Sequence, residues 1–169
     1  MDPLTSDDRL TVGREDPLTP DLGLLFERHH AFCHADTPPE SIHMMDRAGL
    51  AAEGVALFVL RDAGQPLAMG AIKRIGTEHG EIKSMHVLDE ARGRGLAALM
   101  VTHLVEAGRE MGLARLSLET GAQPSFAPAR ALYARAGFAE CPPFGDYRPD
   151  PMSVFTVSYT HLTLPTSDL

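Results

Sequence analysis

Tryptophan is absent from this 169-residue chain, and cysteine occurs only twice, at Cys33 and Cys141. Two cysteines are too few for a disulfide framework, and no charged start followed by an apolar stretch indicates a secretion signal. The longest apolar runs, such as Val55 to Leu60, are far shorter than the roughly 20 residues that span a bilayer. These absences favour a protein of the reducing cytoplasm without a membrane anchor.

Basic residues are also scarce: 15 lysines and arginines stand against 23 aspartates and glutamates, for a formal net charge of −8 at pH 7. A nucleic-acid backbone would be repelled by this field unless the basic residues clustered, so we expect no nucleic-acid partner. With 44% hydrophobic residues and the length of an average domain, the chain can build one core. We expect a single globular domain over residues 1–158.

The pattern of apolar residues predicts a mixed α/β architecture. Helical spacing follows Pro20 and recurs from Leu96 to Gly112 and from Pro128 to Ala136, with a second short helix expected between Ile42 and Gly49. The strand, helix and strand within 81–119 form a βαβ unit, which predicts two parallel neighbouring strands. Strands are expected at residues 10–14, 55–61, 66–75, 81–87, 115–119, 138–140 and 153–157.

The most informative segment is EIKSMHVLDEARGRGLA at positions 81–97, where a strand leads to a glycine-rich turn at the start of a long amphipathic helix. The first amides of a helix lack intrahelical partners and carry a partial positive charge, and glycines let an anion approach the backbone. Arg92 and Arg94 add two permanent charges. The segment therefore predicts a phosphate site, with a turn bearing solvated arginines as the alternative.

Two other phosphate-binding motifs fit this segment less well. Gly93 to Ala98 matches the loose dinucleotide pattern G-x-G-x-x-A, but that fingerprint follows its strand directly and needs a larger alternating sheet. A mononucleotide P-loop is excluded because no Gly-Lys-Ser/Thr follows the glycines. A nucleotide-dependent oxidoreductase is therefore a distant alternative.

Two motifs together resemble one family. Arg92-x-x-Gly95-x-Ala97 fits the pyrophosphate signature Arg/Gln-x-x-Gly-x-Gly/Ala of the GNAT superfamily of N-acetyltransferases, and ALYARAGF at 131–138 resembles the family's second hallmark, a helix with Leu-Tyr that closes with Gly-Phe. The resemblance extends from about Leu10 to Phe155. It implies the GNAT acyl-CoA N-acyltransferase fold, a mixed central sheet of about six to seven strands flanked by about four helices, with splayed parallel strands forming the CoA cleft.

The resemblance also implies which residues bind acetyl-CoA, the expected co-substrate. Main-chain groups of Met85, His86 and Val87 would contact the pantetheine arm and the thioester. Many relatives place an asparagine seven residues before the hallmark tyrosine, where this chain has Phe126; Gln123 or Ser125 are the substitutes for that contact. The backbone amides expected to bind the pyrophosphate are those of Arg92, Gly93, Arg94, Gly95, Leu96 and Ala97.

The acceptor amine must lose a proton before it attacks, since a lysine-like ammonium has a pKa near 10.4. Glu81 lies eleven residues before Arg92, the offset at which histone-acetylating relatives place a glutamate base, and Glu119 is the reserve candidate. Tyr133 matches the family tyrosine that protonates the departing CoA thiolate. The structural alternatives are a Glu81 that only pairs with Lys83 and a Tyr133 that only packs its helix.

The resemblance implies direct transfer of an acetyl group, in a ternary complex, to a primary amine of a small molecule or peptide. Relatives line the amine site with two loops, which here supply Glu40, His43, Tyr147 and Arg148. The alternative function is a non-catalytic acyl-CoA-binding sensor. The oligomeric state is expected to be a monomer or homodimer.

Two further features receive structural rather than functional predictions. His29, His30, Cys33 and His34 suggest zinc, but no further ligands are indicated, so we expect packing roles and no metal. Residues 159–169 resemble a translated adapter stub, and we expect them to be a non-native or disordered tail without a role.

Overall fold

The computed structural model describes residues 9–160, and the expected tail beyond Thr160 lies outside them. The helices within this range are α1 (Gly23–Ala35), α2 (Leu96–Glu110) and α3 (Ala127–Arg135). The strands are β1 (Leu10–Glu15), β2 (Val55–Asp62), β3 (Gln65–Arg74), β4 (His79–Val87), β5 (Arg115–Gly121), β6 (Ala139–Glu140) and β7 (Ser153–Tyr159).

All seven strands belong to one mixed sheet in the order β1-β2-β3-β4-β5-β7-β6. The first four strands form an antiparallel meander, in which Ala63 and Gly64 connect β2 to β3 with φ angles of 50° and 89°. Positive φ at both central residues is typical of a tight hairpin turn. The sequence-based fold class, a mixed sheet of the GNAT type flanked by helices, is confirmed.

Strands β4 and β5 run parallel but pair over only part of their length. Their register extends from His79 opposite Arg115 to Ile82 opposite Leu118. Beyond this point β4 continues to Val87 and β5 continues to Gly121, but the two strands no longer pair with each other. The two strands therefore diverge toward their carboxyl ends, as expected for the CoA cleft of this fold.

Helix α2 is held to the sheet by its apolar stripe. Met100 and Leu104, one turn apart, are completely buried, and Gly108 lets the side chain of Leu116 on β5 come close to the helix backbone. On the other side of the sheet, Leu25 of α1 packs in a second cluster with Leu57 and Met69. Two apolar layers thus fix the sheet that carries the diverging strands.

The short helix expected between Ile42 and Gly49 does not form. The chain there has one 3₁₀ turn at Pro39–Ser41, an extended stretch from Ile42 onward and another 3₁₀ turn at Gly49–Ala51. Asp46 accepts a hydrogen bond from the Gly49 amide at 2.6 Å, so a side chain caps a turn instead of a helix. The described residues consequently contain three α-helices. The extended stretch that begins at Ile42 lines a cavity instead.

Strand β7 continues to Tyr159, which is paired with Arg115 of β5. The following Thr160 is buried, and its amide donates to the Ala114 carbonyl at 2.9 Å. The described structure therefore includes Tyr159 and Thr160, the first two residues of the segment that the sequence analysis assigned to the tail. No helix in the range 9–160 is long and apolar enough to cross a membrane.

Candidate active site

The glycine-rich turn forms the N-terminal entry to α2. Gly93 and Gly95 have φ angles of 83° and 76°, and α2 begins at the next residue, Leu96. The first amides of α2 lack intrahelical partners, and the left-handed glycine directly before them carries no side chain that could cover them. The geometry is that of an anion site built from backbone amides.

The two arginines of this turn have different surroundings. Arg94 donates to Asp62 at the end of β2 at 2.8 Å, so its guanidinium supports the turn from the sheet. Arg92 is half exposed, 3.2 Å from Asp89, and lines the adjacent cleft. The sequence predicted that both arginines would contribute charge to one phosphate site. In the structure only Arg92 lines the cleft, because Arg94 is paired with Asp62.

A cleft of about 310 Å³, the loop cleft, opens between the end of β4, the glycine-rich turn and α3. The structure brings together all of the predicted cofactor-binding residues here except Arg94. Those that line the cleft are Met85, His86, Val87, Arg92, Gly93, Gly95, Leu96 and Ala97.

A β-bulge shapes the strand that borders this cleft. Met69 pairs with His86 and Ala71 with Lys83, so Ser84 and Met85 both lie opposite Gly70. Ser84 adopts a φ of 59°, a left-handed conformation that is uncommon for a residue with a side chain. A Cβ at Gly70 would lie 2.9 Å from the sulfur of Met85, so glycine gives the bulge its room.

Replacing Gly95 with alanine is expected to lower the free energy of unfolding by about 1 kcal/mol and to weaken acetyl-CoA binding. No atom lies within 4 Å of a Cβ built there, so the cost comes from the positive φ of 76° alone. Urea unfolding and calorimetric titration with acetyl-CoA measure the two effects. Gly13→Ala in β1, where a Cβ is equally unobstructed, is the matched control, and equal losses in both variants would contradict the assignment.

The three predicted catalytic residues converge on a second space, the central cavity, of about 150 Å³. Glu81 comes from β4, Glu119 from β5 and Tyr133 from α3, and all three line it. Tyr133 also lines the loop cleft, so it stands at the junction of the two spaces. The divergence of β4 and β5 beyond Ile82 creates the room between these side chains.

Glu81 is 5% exposed and belongs to a buried hydrogen-bonded cluster. Its Oε2 accepts hydrogen bonds from the Tyr147 hydroxyl and, at 3.2 Å, from the Lys83 ammonium. Lys83 also donates to the His43 carbonyl and the Tyr147 hydroxyl, both at 3.1 Å. Burial and the Glu81 charge raise the pKa of Tyr147, which keeps its phenol protonated as a donor.

The Glu119 carboxylate has fewer hydrogen-bond partners than the Glu81 carboxylate. It is half-buried, and its Oε2 accepts one hydrogen bond from the Ser153 hydroxyl at 2.7 Å. Burial raises the pKa of the Glu119 carboxyl, and the Ser153 hydrogen bond opposes that shift. A carboxylate with a raised pKa takes a proton more readily, which suits a general base.

Tyr133 is 6% exposed, and burial raises its pKa, so the phenol stays neutral. Its ring packs edge-on against Phe138 at a centroid distance of 5.8 Å. Within residues 9–160 its hydroxyl has no hydrogen-bond partner. The side chain therefore combines the packing role with a free donor at the junction of the two spaces.

A third space, the outer cavity, of about 670 Å³, adjoins the central cavity and shares His43, Glu81, Lys83 and Tyr147 with it. The structure places all four residues predicted for the acceptor site in its lining: Glu40, His43, Tyr147 and Arg148. Sequence reasoning missed Lys73 and Arg74 of β3, which also line it. The strand register would have identified Lys73 as a candidate, because Lys73 on β3 lies directly opposite Glu81 on β4.

Aromatic side chains occupy the place of the family asparagine. Phe126 packs edge-on against Phe32 of α1, with ring centroids 5.0 Å apart. Gln123 is engaged elsewhere, since its amide donates to the Asp36 carbonyl at 2.9 Å and to the Thr37 hydroxyl at 2.7 Å. Ser125 lines the loop cleft, but its hydroxyl donates to the Asp36 carboxylate at 2.8 Å, so both predicted substitutes are engaged by the segment after α1.

Three histidines of α1 pack against other histidine rings. His30 and His34 stack at 3.9 Å, and buried His29 packs edge-on against His86 at 5.3 Å. Burial lowers the pKa of His29 and of His86 to about 4, so both are neutral at pH 7. In the part of the chain that the structure describes, no group of three or more His, Cys, Asp or Glu residues is arranged to hold a metal ion.

The chain belongs to the acetyltransferase (GNAT) family, whose family model matches residues 23–138. It is 37% identical over 145 residues to the uncharacterized N-acetyltransferase YedL of Escherichia coli, covering 86% of this chain and 91% of that one. It is 41% identical over 119 residues to the uncharacterized N-acetyltransferase YsnE of Bacillus subtilis, covering 70% and 79%. The protein is therefore an N-acetyltransferase by class.

The fold has a solved counterpart with a ligand. A GNAT family acetyltransferase from Elizabethkingia anophelis, solved with acetyl-CoA bound, aligns with a TM-score of 0.66 at 13% identity. The alignment covers 90% of this chain and 99% of that protein. At 13% identity this similarity shows a shared fold and nothing more specific.

Proposed function

We propose that this protein transfers an acetyl group from acetyl-CoA to a primary amine of a small molecule or peptide, directly and within a ternary complex. One observation carries the proposal: three adjoining spaces run from the glycine-rich turn to the ionisable outer cavity. The central cavity shares Tyr133 with the loop cleft and Glu81 with the outer cavity. Two substrates entering from opposite sides would meet between Glu119 and Tyr133.

Acetyl-CoA would enter through the loop cleft. Its pyrophosphate fits the amides at the start of α2, and its pantetheine arm fits the unpaired edge of β4 from Met85 to Val87. The acetyl-CoA bound to the Elizabethkingia anophelis protein supports this choice of co-substrate. A backbone donor near the thioester oxygen would stabilise the developing oxyanion, a contact that contributes about 2.7 to 4 kcal/mol in comparable sites.

We assign the base role to Glu119, with Glu81 as the rival candidate. Both carboxylates line the central cavity, but Oε2 of Glu81 already accepts two hydrogen bonds, whereas Glu119 accepts one. The buried Glu81 would instead attract the acceptor ammonium from the outer cavity. Glu119, whose pKa is raised by burial, would then remove its proton, directly or through a water.

The transfer step balances with Tyr133 as the acid. The amine nitrogen forms a bond to the thioester carbon, the carbon–sulfur bond breaks, and the electron pair leaves on the CoA sulfur. Before attack, Glu119 takes one proton from the ammonium and passes it to solvent. After attack, the phenol of Tyr133 protonates the thiolate, and the second proton of the nitrogen returns through water to the Tyr133 phenolate. Tyr133 fits this role because its hydroxyl is unengaged within residues 9–160 and lies between the two spaces.

The proposal is tested by mixing the purified protein with acetyl-CoA and a panel of amino acids, polyamines, aminoglycosides and peptide amines. Release of CoA thiol, with the acetylated amine detected by mass spectrometry, is the expected result. Tight acetyl-CoA binding without turnover of any amine would instead favour a non-catalytic acyl-CoA sensor. The cytoplasmic location, the oligomeric state and the absence of nucleic-acid partners stay predictions from the sequence.

A further inference from the structure

Most of the residues that line the outer cavity are ionisable, which bears on the acceptor. Its cations are Lys73, Arg74, Lys83 and Arg148, and its anions are Glu40, Glu81, Asp146 and Asp150. Binding sites for drug-like or aromatic molecules are lined mainly by apolar side chains. A cavity with this lining suits a small, strongly polar acceptor, and the question is which of its charges are free to contact one.

Two of the four cations are already engaged. The ammonium of Lys83 has three donors, and three acceptors surround it: the His43 carbonyl, the Glu81 carboxylate and the Tyr147 hydroxyl. The guanidinium of Arg74 donates to the Thr77 and Met111 carbonyls, both at 2.7 Å. The Lys83 ammonium has no donor left for a ligand, and the Arg74 guanidinium, which keeps three of its five N–H donors, is held in place by these two carbonyls.

Lys73 and Arg148 are the cations left over. Neither forms a hydrogen bond or an ion pair with any residue in the described range 9–160. Lys73 is half-buried and lies directly opposite Glu81 on the neighbouring strand, so both side chains emerge on the same face of the sheet. This half-buried ammonium forms no ion pair of its own within that range, because the opposite Glu81 is engaged by Lys83 and Tyr147, and it is therefore suited to bind an anion.

The anions divide differently along the cavity. Glu81 and, beyond it, Glu119 lie at the inner end, where the acceptor amine must arrive. Asp150 is engaged by the Ser41 hydroxyl at 2.7 Å and the Met152 amide at 2.9 Å. Glu40 and Asp146 are exposed, so solvent screens their charges. The least screened charges are therefore the carboxylates of Glu81 and Glu119 inside and the half-buried Lys73 ammonium beside them, while the exposed Arg148 adds a guanidinium whose donors are free among the described residues.

We infer that the acceptor is an amine that also carries an anionic group, which Lys73 and Arg148 bind while the amine points toward Glu81 and Glu119. This inference rests on the proposed acetyl transfer and narrows its substrate class. The anionic group is a carboxylate or a phosphate, which share the chemistry that an ammonium and a guanidinium recognise. Polycationic acceptors such as polyamines are disfavoured because they would meet two unpaired cations.

The test measures equilibrium binding to the protein saturated with CoA, in addition to turnover with acetyl-CoA. Matched ligands separate the anion from the amine: β-alanine against β-alaninamide, and O-phosphoethanolamine against ethanolamine, with turnover corrected for the fraction of free amine. Wild type is expected to bind an anionic member about tenfold or more tightly than its neutral match. The ligand pair with the larger ratio of anionic to neutral affinity shows whether the site prefers a carboxylate or a phosphate.

Variants assign the preference to residues. Lys73→Met and the exposed Arg148→Gln are each expected to reduce the ratio to within about threefold, because each removes one charge-assisted contact. Arg14→Gln, an exposed change in β1 that lines none of the three cavities, is the matched control and should keep the ratio. Equal binding of matched ligands to wild type, or an unchanged ratio in both variants, overturns the inference.

Failure of the inference and failure of the proposed function are distinguishable. An enzyme that acetylates neutral and anionic amines equally well would retain acetyl transfer and refute the acceptor class. A protein that prefers anionic amines in binding but releases no CoA would support the acceptor class and refute the catalytic proposal.

Discussion

Replacing Glu119 with glutamine is expected to lower kcat/KM for acetyl transfer by about 10²- to 10⁴-fold, the usual contribution of a general base. Glutamine keeps the size of the side chain and its acceptor for the Ser153 hydroxyl but cannot take a proton. In wild type, kcat/KM should fall on the acidic side at a pH above the ordinary glutamate range, since burial raises the Glu119 pKa. Stopped assays of CoA release across pH measure both effects.

Glu81→Gln is the informative comparison, because the sequence alone favoured Glu81 as the base. That change leaves the buried Lys83 without its carboxylate, so part of any loss reflects an unpaired ammonium. The double variant Glu81→Gln with Lys83→Met removes both charges and corrects for this. If the double variant lost more kcat/KM than Glu119→Gln, and Glu119→Gln kept the acidic limb, the base would be Glu81.

Replacing Tyr133 with phenylalanine is expected to lower kcat by about 100-fold, with little change in acetyl-CoA affinity. Phenylalanine preserves the edge-on contact with Phe138, so the ring still packs, but the donor for the CoA thiolate is gone. Single-turnover kinetics separate the transfer step from product release.

Tyr159→Phe at the exposed end of β7 is the control for removal of a phenol, since Tyr159 lines none of the three cavities. It should leave kcat within about twofold of wild type. A Tyr133→Phe enzyme with full kcat and unchanged stability would assign that tyrosine to packing alone.

The fold was predictable because its signals are local or periodic. The stripe that includes Met100 and Leu104 at helical spacing predicts α2, and both residues are buried against the sheet. Glycines at 93 and 95 predict a left-handed turn, and their φ angles are positive. The helix expected after Ile42 was wrong because a few apolar residues near a Pro-Pro pair do not distinguish a short helix from turns joined by extended chain.

Part of the site was predictable for the same reason. Residues 92–97 are consecutive, so a motif places their amides together whatever the rest of the chain does. Glu81, Glu119 and Tyr133 come from separate elements, and only the family resemblance proposed that they share one site. The structure brings them to one cavity, but their roles depend on neighbours, and the partners of Glu81 are Lys83 two residues away and Tyr147 from a distant loop.

By itself, the sequence determined the order of the strands, the glycine-rich entry to α2 and the family, since each depends on patterns within short stretches of the chain. Only the tertiary structure decided that Asp62 holds Arg94 away from the loop cleft, that Lys83 is fully engaged and that Lys73 is not. These pairings join segments far apart in the chain. They follow from strand register and loop paths, which the packing of the whole domain sets and no local pattern encodes.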